Sequence, residues 1–291
     1  MSIINQIIRE TKVSTAKIGI GLSDNSELQN KKILYATIKF LNQFEKNEDI
    51  QIYFFGKDKY IDRISVNSSF FKYRRRIKLV NTQNPAQELF NYLNTNTINA
   101  VVRGAISSSE FLPLVTEKLH VPVINRLALL ETNSGYQFFY GPVGIDECND
   151  LRSKMNFIET AVNQLHSLDI SPKVSILSGG RLSDIGRDER VDKTINEAKE
   201  TIRLIREIFP SIKISHDEIL IEKAIDNNAN LIIAPDGISG NLIYRTLVHL
   251  GGGRAYGAIY MGLDKILIDT SRVGALNEIY GAFLLAMSLI I

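Results

Sequence analysis

The chain has 291 residues, 44% hydrophobic and 23% charged, enough apolar material for one large or two smaller cores. A net charge of +2, with no basic run longer than Arg74-Arg75-Arg76, gives no sign of a nucleic-acid surface; the triplet reads as a solvated loop or strand edge. A single cysteine, Cys148, excludes an intramolecular disulfide and thiolate zinc sites, and the four histidines show no i,i+4 pairing, so no metal is expected.

Residues 1–14 are amphipathic and carry charges, unlike the apolar core of a signal peptide. The last stretch, 279–291, is apolar but too short to span a bilayer, and reads as a buried helix. A cytoplasmic protein without membrane contact is expected.

Between these ends, short apolar runs predict strands at 17–20, 50–55, 77–80, 100–102, 122–124, 137–140, 174–177, 231–234, 255–260 and 266–268. Helical patterns fall at 31–44, 85–93, 110–119, 149–168, 188–208, 217–227 and 242–250. Strand-helix alternation predicts an α/β fold with parallel-rich sheets covered by helices. No proline-rich linker appears. The expected domain boundary lies near residues 120–122, giving a first domain of 1–120 plus 270–291 and a second of 121–269.

Several strand ends carry candidate chemistry. Gly19-Ile20-Gly21 resembles half of a dinucleotide fingerprint, but Asp24 holds the third glycine position, so the segment reads as a tight strand-end turn. The stretch Arg103-Gly104-Ala105-Ile106-Ser107-Ser108-Ser109 suits phosphate contact, and its serines equally suit a helix N-cap. Ser178-Gly179-Gly180-Arg181, continuing to Arg187, follows a strand and precedes a long helix. Its glycine amides, the helix terminus and two arginines could hold an anion, although no Walker lysine is present. A flexible connecting loop would look the same. His249 lacks the Asp-x-His-x-x-Gly context of corrinoid binding.

The most informative stretch is 231–291. A strand breaks at Pro235-Asp236-Gly237, and Gly240-Asn241 leads into a helix. Two apolar runs then end in Asp269-Thr270-Ser271-Arg272, with Glu278 seven positions past Ser271. Polar groups where strands run out mark the ligand end of open α/β sheets. Glu278 early on a helix could be a general base, or only an acid favoured by the helix dipole.

Together, the segments 230–236, Gly240-Asn241, Leu250-Gly251-Gly252, Gly257, Gly262-Leu263 and Asp269-Thr270-Ser271-Arg272 resemble the phosphate acetyl/butyryl transferase family. With the segments 131–138 (Glu131 to Phe138) and 141–147 (Gly141 to Glu147) added, the chain resembles the methanogen MtxX proteins, a group described as a methyltransferase subunit or methanogenesis marker. The resemblance implies a two-domain, isocitrate dehydrogenase-like (phosphotransacetylase) fold with an interdomain cleft. It implies Ser271 and Arg272 as the family's Ser-Arg pair, and Glu278 in the place of its downstream Asp. Arg103, Ser107, Ser178, Gly179, Gly180, Arg181, Arg187, Asp236 and Asn241 are the expected anion and substrate contacts.

Two departures stand out: the family's Leu-Arg-Pro is Phe111-Leu112-Pro113 here, and the glycine directly after Ser-Arg has moved to Gly274. The expected activity is transfer on a phosphorylated or coenzyme A thioester substrate, with coenzyme A or an acyl-phosphate as substrate and no covalently bound cofactor. The alternative is a non-catalytic ligand-binding or accessory subunit of a methyltransferase system. A homodimer is expected by analogy, with the apolar surface of 255–268 as its contact.

Overall fold

A computed structural model describes residues 2–11 and 15–290; residues 12–14 of the amphipathic amino terminus, with Met1 and Ile291, lie outside the described residues. The chain folds as two compact units, residues 3–124 with 256–291, and residues 125–255.

The first unit begins with α1 (Ile3–Glu10), which buries Ile3, Ile4 and Ile7. It continues through β1 (Ala16–Gly21), α2 (Glu27–Gln43), β2 (Ile50–Gly56), α3 (Asp58–Ser65), α4 (Ser68–Tyr73), β3 (Ile77–Asn81), α5 (Pro85–Asn94), β4 (Ala100–Val102) and α6 (Ser108–Leu119). The second unit holds β5 (Asn125–Glu131), β6 (Gln137–Gly141), α7 (Leu151–Ser167), β7 (Lys173–Leu177), a short 3-10 turn (Leu182–Asp184), α8 (Glu189–Ile208), β8 (Lys213–Glu218), α9 (Ile221–Asp226), β9 (Leu231–Ile233) and α10 (Gly237–His249). The chain then returns through β10 (Arg254–Met261), β11 (Ile266–Asp269) and α11 (Leu276–Leu289).

In the first unit the strand order is β3-β2-β1-β4-β11-β10. All neighbours are parallel except β10 and β11. In the second it is β5-β6-β9-β7-β8, parallel except for the β5–β6 hairpin. Strands buried on both faces need continuous apolar sequence, and β1, β2 and β4 have it: Ile18, Ile20, Ile52, Phe54, Val101 and Val102 are fully buried. Helix α11 is buried along nearly its whole length and packs on α1, α2 and the β1, β4 and β11 strands. No helix among the described residues is long and apolar enough to cross a membrane.

Four expectations change. Residues 122–124 are not a strand; the strand is β5, seven residues starting at Asn125. β8 is built from polar sequence (KISHDE), so hydrophobic periodicity passed over it, and its Asp217 belongs to the strand rather than to a helix. The units divide at 124/125 and 255/256, so residues 256–269 belong to the first unit, because β11 pairs in register with β4 (Ile266 with Ala100). The apolar run 255–268 is no outer contact surface: Ala255, Tyr256, Ile259, Tyr260, Leu267 and Ile268 are all buried.

Glycines fix one close approach in the second unit. Helix α10 starts against residues 142–147, and a Cβ on Gly237 would meet the Gly144 carbonyl oxygen while one on Gly240 would meet that of Pro142. Backbone cannot yield as a flexible side chain does. Gly237→Ala and Gly240→Ala should each destabilise the protein by about 1–3 kcal/mol, as overpacked sites do; denaturant unfolding monitored by circular dichroism will read the loss.

Candidate functional site

In the first unit β1 has β2 on one side and β4 on the other, so the direction of winding reverses between β1 and β4. Ligands in open α/β sheets bind outside the carboxyl ends of the strands at such a reversal. A cavity of about 160 Å³ lies there. Its walls are the loop after β1 (Leu22, Ser23, Asp24, Asn25), the loop after β4 (Ala105, Ile106, Ser107), Pro85, Glu110 and Arg272.

Ser107 is the N-cap of α6, but its side chain makes no capping bond and lies 3.2 Å from the Ser109 hydroxyl. Among the described residues the Ser108 and Ser109 amides of α6 therefore remain available, with the partial positive charge of a helix start behind them, while the Glu110 amide donates to the Ser107 carbonyl at 3.2 Å. Arg272 is exposed and has no ion pair or hydrogen bond among the described residues. Asp24 is held by Lys57 at 2.6 Å.

Arg103 does not reach this cavity. It is 5% exposed, and its guanidinium donates to the Asp269 carboxylate, the Ile106 carbonyl and the Thr270 carbonyl. The expected anion contact is instead a strut, because its donors are spent inside the protein. Thr270 adds a hydroxyl bond to the Gly104 carbonyl at 3.0 Å, and Gly104 needs its positive φ of 67° to lie against the Gly21 carbonyl. Gly19 and Gly21 are thus strand residues with packing roles: a Cβ on Gly19 would lie 2.7 Å from Ile98 and Leu89. The strut fixes the loops carrying Ser107 and Arg272.

Ser271 and Glu278 are brought together. The Ser271 amide donates to Glu278 Oε1 at 2.5 Å, while the carboxylate is 4% exposed and does not line the cavity. Burial pushes its pKa up to about 7, against the lowering effect of the Ser271 amide; Asp269 raises it further and Arg103 lowers it. That differs from a base facing a substrate thiol.

The remaining expected contacts lie in the second unit, where the protein fills its own anion sites. In the loop after β7, the Gly179 amide donates to the Thr194 hydroxyl at 2.8 Å. The Arg181 amide donates to Asp184 at 2.9 Å and the Leu182 amide to Glu218 at 3.1 Å. The Gly186 amide donates to Asp192 at 2.9 Å, and Arg187 pairs with Asp184 at 2.5 Å. Gly180 sits over Val191, and its carbonyl accepts from the Ser178 hydroxyl at 2.9 Å.

With that proton committed, Ser178 accepts from His216 Nε2 at 2.8 Å, which makes His216 the Nε2–H tautomer rather than an activating base. Burial lowers the His216 pKa, consistent with a neutral ring. Asp236 caps α10 through the Ser239 amide at 2.8 Å, and Asn241 donates to the Val143 carbonyl at 2.7 Å. Both are structural.

Sequence reasoning missed Ser23, Asp24, Asn25, Pro85 and Glu110 as cavity residues. Their only signal was position, after predicted strands that prove adjacent, and strand order is not written in a single sequence.

The raised pKa of Glu278 has a stability consequence. Between about pH 4.5 and 7 the unfolded carboxyl is ionised while the folded one keeps its proton, so stability falls as pH rises through that window, by up to roughly 3 kcal/mol. Glu278→Gln removes this dependence. The difference in Tm between the Gln variant and wild type should shift in favour of Gln from pH 5 to pH 8; a constant difference would show that Glu278 does not titrate there.

The chain and its fold have counterparts among known proteins. A protein of Methanosarcina mazei named "Putative methyltransferase mtx subunit X" is 36% identical, covering 94% of this chain and 90% of that protein. One of the same name from Methanosarcina acetivorans is 39% identical over 77% of this chain and 76% of its own length. Among solved structures, a phosphotransacetylase from Streptococcus pyogenes superposes with a TM-score of 0.70 at 15% identity, covering 98% of this chain and 97% of that one. A branched-chain phosphotransacylase from Enterococcus faecalis gives 0.69 at 16% identity, with 94% and 99% covered. The phosphate acetyl/butaryl transferase family model matches residues 81–287, a span that takes in α6, the Arg103 strut and the Ser271–Glu278 turn, and the chain belongs to that family.

Proposed function

We propose that the chain is a phosphate acyltransferase-like transferase that holds the phosphoryl end of its substrate in the cavity beyond β1 and β4. The observation that carries this reading is Arg272, which has no ion pair among the described residues and lines a cavity that also borders the first turn of α6. Guanidinium and backbone amides favour an oxyanion, and they favour it more as charge builds on the leaving phosphate. In the reaction, a thiol sulfur bonds to the acyl carbon, the acyl carbon–oxygen bond to phosphate breaks, and the thiol proton ends on the released phosphate. A phosphorylated acyl donor and a coenzyme A thiol fit that balance, and the methanogen relatives point to a role in methanogen metabolism.

One observation favours the second reading, a ligand-binding subunit without turnover. Leu112, at the position of the family's arginine, packs against the core with Phe111 and Val115, leaving Arg272 as the only guanidinium among the described residues that line the cavity. A single assay separates the two. Acetyl or butyryl phosphate with coenzyme A should give thioester, and Arg272→Ala should lower kcat/KM about 10²–10³-fold and weaken phosphate binding, since charge on an oxyanion acts in both ground and transition states. Phosphate binding without thioester would select the accessory subunit.

For the homodimer, α10 replaces the 255–268 run as the contact. Ile238, Leu242 and Leu250 are exposed, beside an apolar groove of about 620 Å³ lined by Phe138, Ile225, Ile243 and Leu247. Apolar surface of this kind marks interaction sites. Leu242→Asp should convert a dimer to a monomer in light scattering, and a wild-type monomer at high concentration would rule the contact out.

A further inference from the structure

We propose that Glu278 is a positioning residue, whose carboxylate occupies the space left by the absent Cβ of Gly274 and so holds the Ser271–Gly274 turn, with Arg272 on it, at the cavity. This rests on reading that cavity as an anion site. The turn closes on itself through the Gly274 amide and Ser271 carbonyl at 2.8 Å, and the Gln29 side chain donates to the Gly274 carbonyl at 3.2 Å from α2. Neither bond fixes the Ser271 amide. Glu278 Oε1 does, at 2.5 Å, while Oε2 lies 2.8 Å from where a Gly274 Cβ would stand.

Glu278 in the place of the family's Asp and the glycine moved to Gly274 are therefore one coupled change. A Glu in place of Asp reaches one methylene further, and a glycine moved to position 274 makes room for what it brings. A thiol proton would need an exposed acceptor, whereas this carboxylate is buried and outside the cavity wall. The groups facing it are Asp269 on β11, Arg103 after β4 and the Ser271 and Ala275 amides. It is arranged to hold a backbone amide.

The test compares wild type with Glu278→Gln, Glu278→Asp, Gly274→Ala and the Gly274→Ala/Glu278→Asp double variant. Two readouts are used: amide hydrogen exchange of residues 271–274 and the Kd for inorganic phosphate by calorimetry. Gln keeps an oxygen acceptor of the same reach, so exchange and Kd should stay within about three-fold of wild type. Glu278→Asp and Gly274→Ala should each speed exchange of the Ser271 amide and weaken phosphate binding by about ten-fold, the order of one lost hydrogen bond. The double variant should be no worse than either single, because the shorter acid vacates the space that the new methyl needs; such non-additivity is the mark of direct contact.

Additive losses in the double variant, or protection of Ser271 unchanged by Glu278→Asp, overturn the inference. Absence of phosphate binding to wild type overturns the anion-site reading, while the exchange data still decide the role of Glu278. Exchange across β1 and β4 reports whether any variant has loosened the whole unit.

Discussion

The buried fork of Arg103 is the contact on which the first unit's site depends. Three carbon–nitrogen arms of one side chain reach Asp269 at the end of β11, and the carbonyls of Ile106 and Thr270 on the two loops that leave the sheet. Both partners of the ion pair are nearly out of water, at 5% and 9% exposure. Removing one partner from such a pair leaves an uncompensated buried charge and typically costs about 3–5 kcal/mol. The pair is no great source of stability by itself, because desolvation offsets the attraction. What it provides is geometry: with two loops tied to one planar group, Ser107 and Arg272 cannot move independently of the sheet.

The loop after β7 shows how the same chemistry can be spent inside the protein. Glycines, a strand end and a coming helix are the ingredients of a phosphate cradle. Here the amides at 179, 181, 182 and 186 already have acceptors, three of them carboxylates of Asp184, Glu218 and Asp192. An external anion would have to displace charges that the chain carries permanently. Those acids were visible in the sequence, but Glu218 reaches the loop only because β8 pairs with β7 and bulges at Asp217, bringing Glu218 beside Leu177.

Legibility followed the physics of each element. Strands buried on both faces, such as β1, β2 and β4, announced themselves as apolar runs, and the helices with an apolar stripe were found to within a few residues. β8 escaped because its inward residue is polar: Asp217 is buried among the hydroxyls of Ser175 and Ser215 and the Asn227 amide. Helices α3 and α4, six to eight residues long, fall below the length at which periodicity is readable. The domain boundary was misplaced at 269 because a strand's partner decides its unit, and register is not local information. For the site, residue types at strand ends were legible. Which donors remained free was not, since that depends on partners distant in sequence: Arg103 lies 166 residues from Asp269.

Charge around the cavity then bears on what it can hold. Arg272 faces no partner among the described residues, Asp24 is matched by Lys57, and Glu110 lies within the field of the same lysine. Two carboxylates against Lys57 and Arg272 leave the surroundings neutral overall, with the positive charge at the wall confined to Arg272. A highly charged ligand would meet two carboxylates as well as the arginine, whereas a single phosphoryl group on a short carbon chain can present its oxygens to Arg272 and the α6 amides and its chain to Leu22, Pro85 and Ala105. With leucine in the place of a second arginine, the proposed anion binding in this cavity would rest on the placement of Arg272 rather than on the number of charges, and so on whatever fixes the turn that carries it.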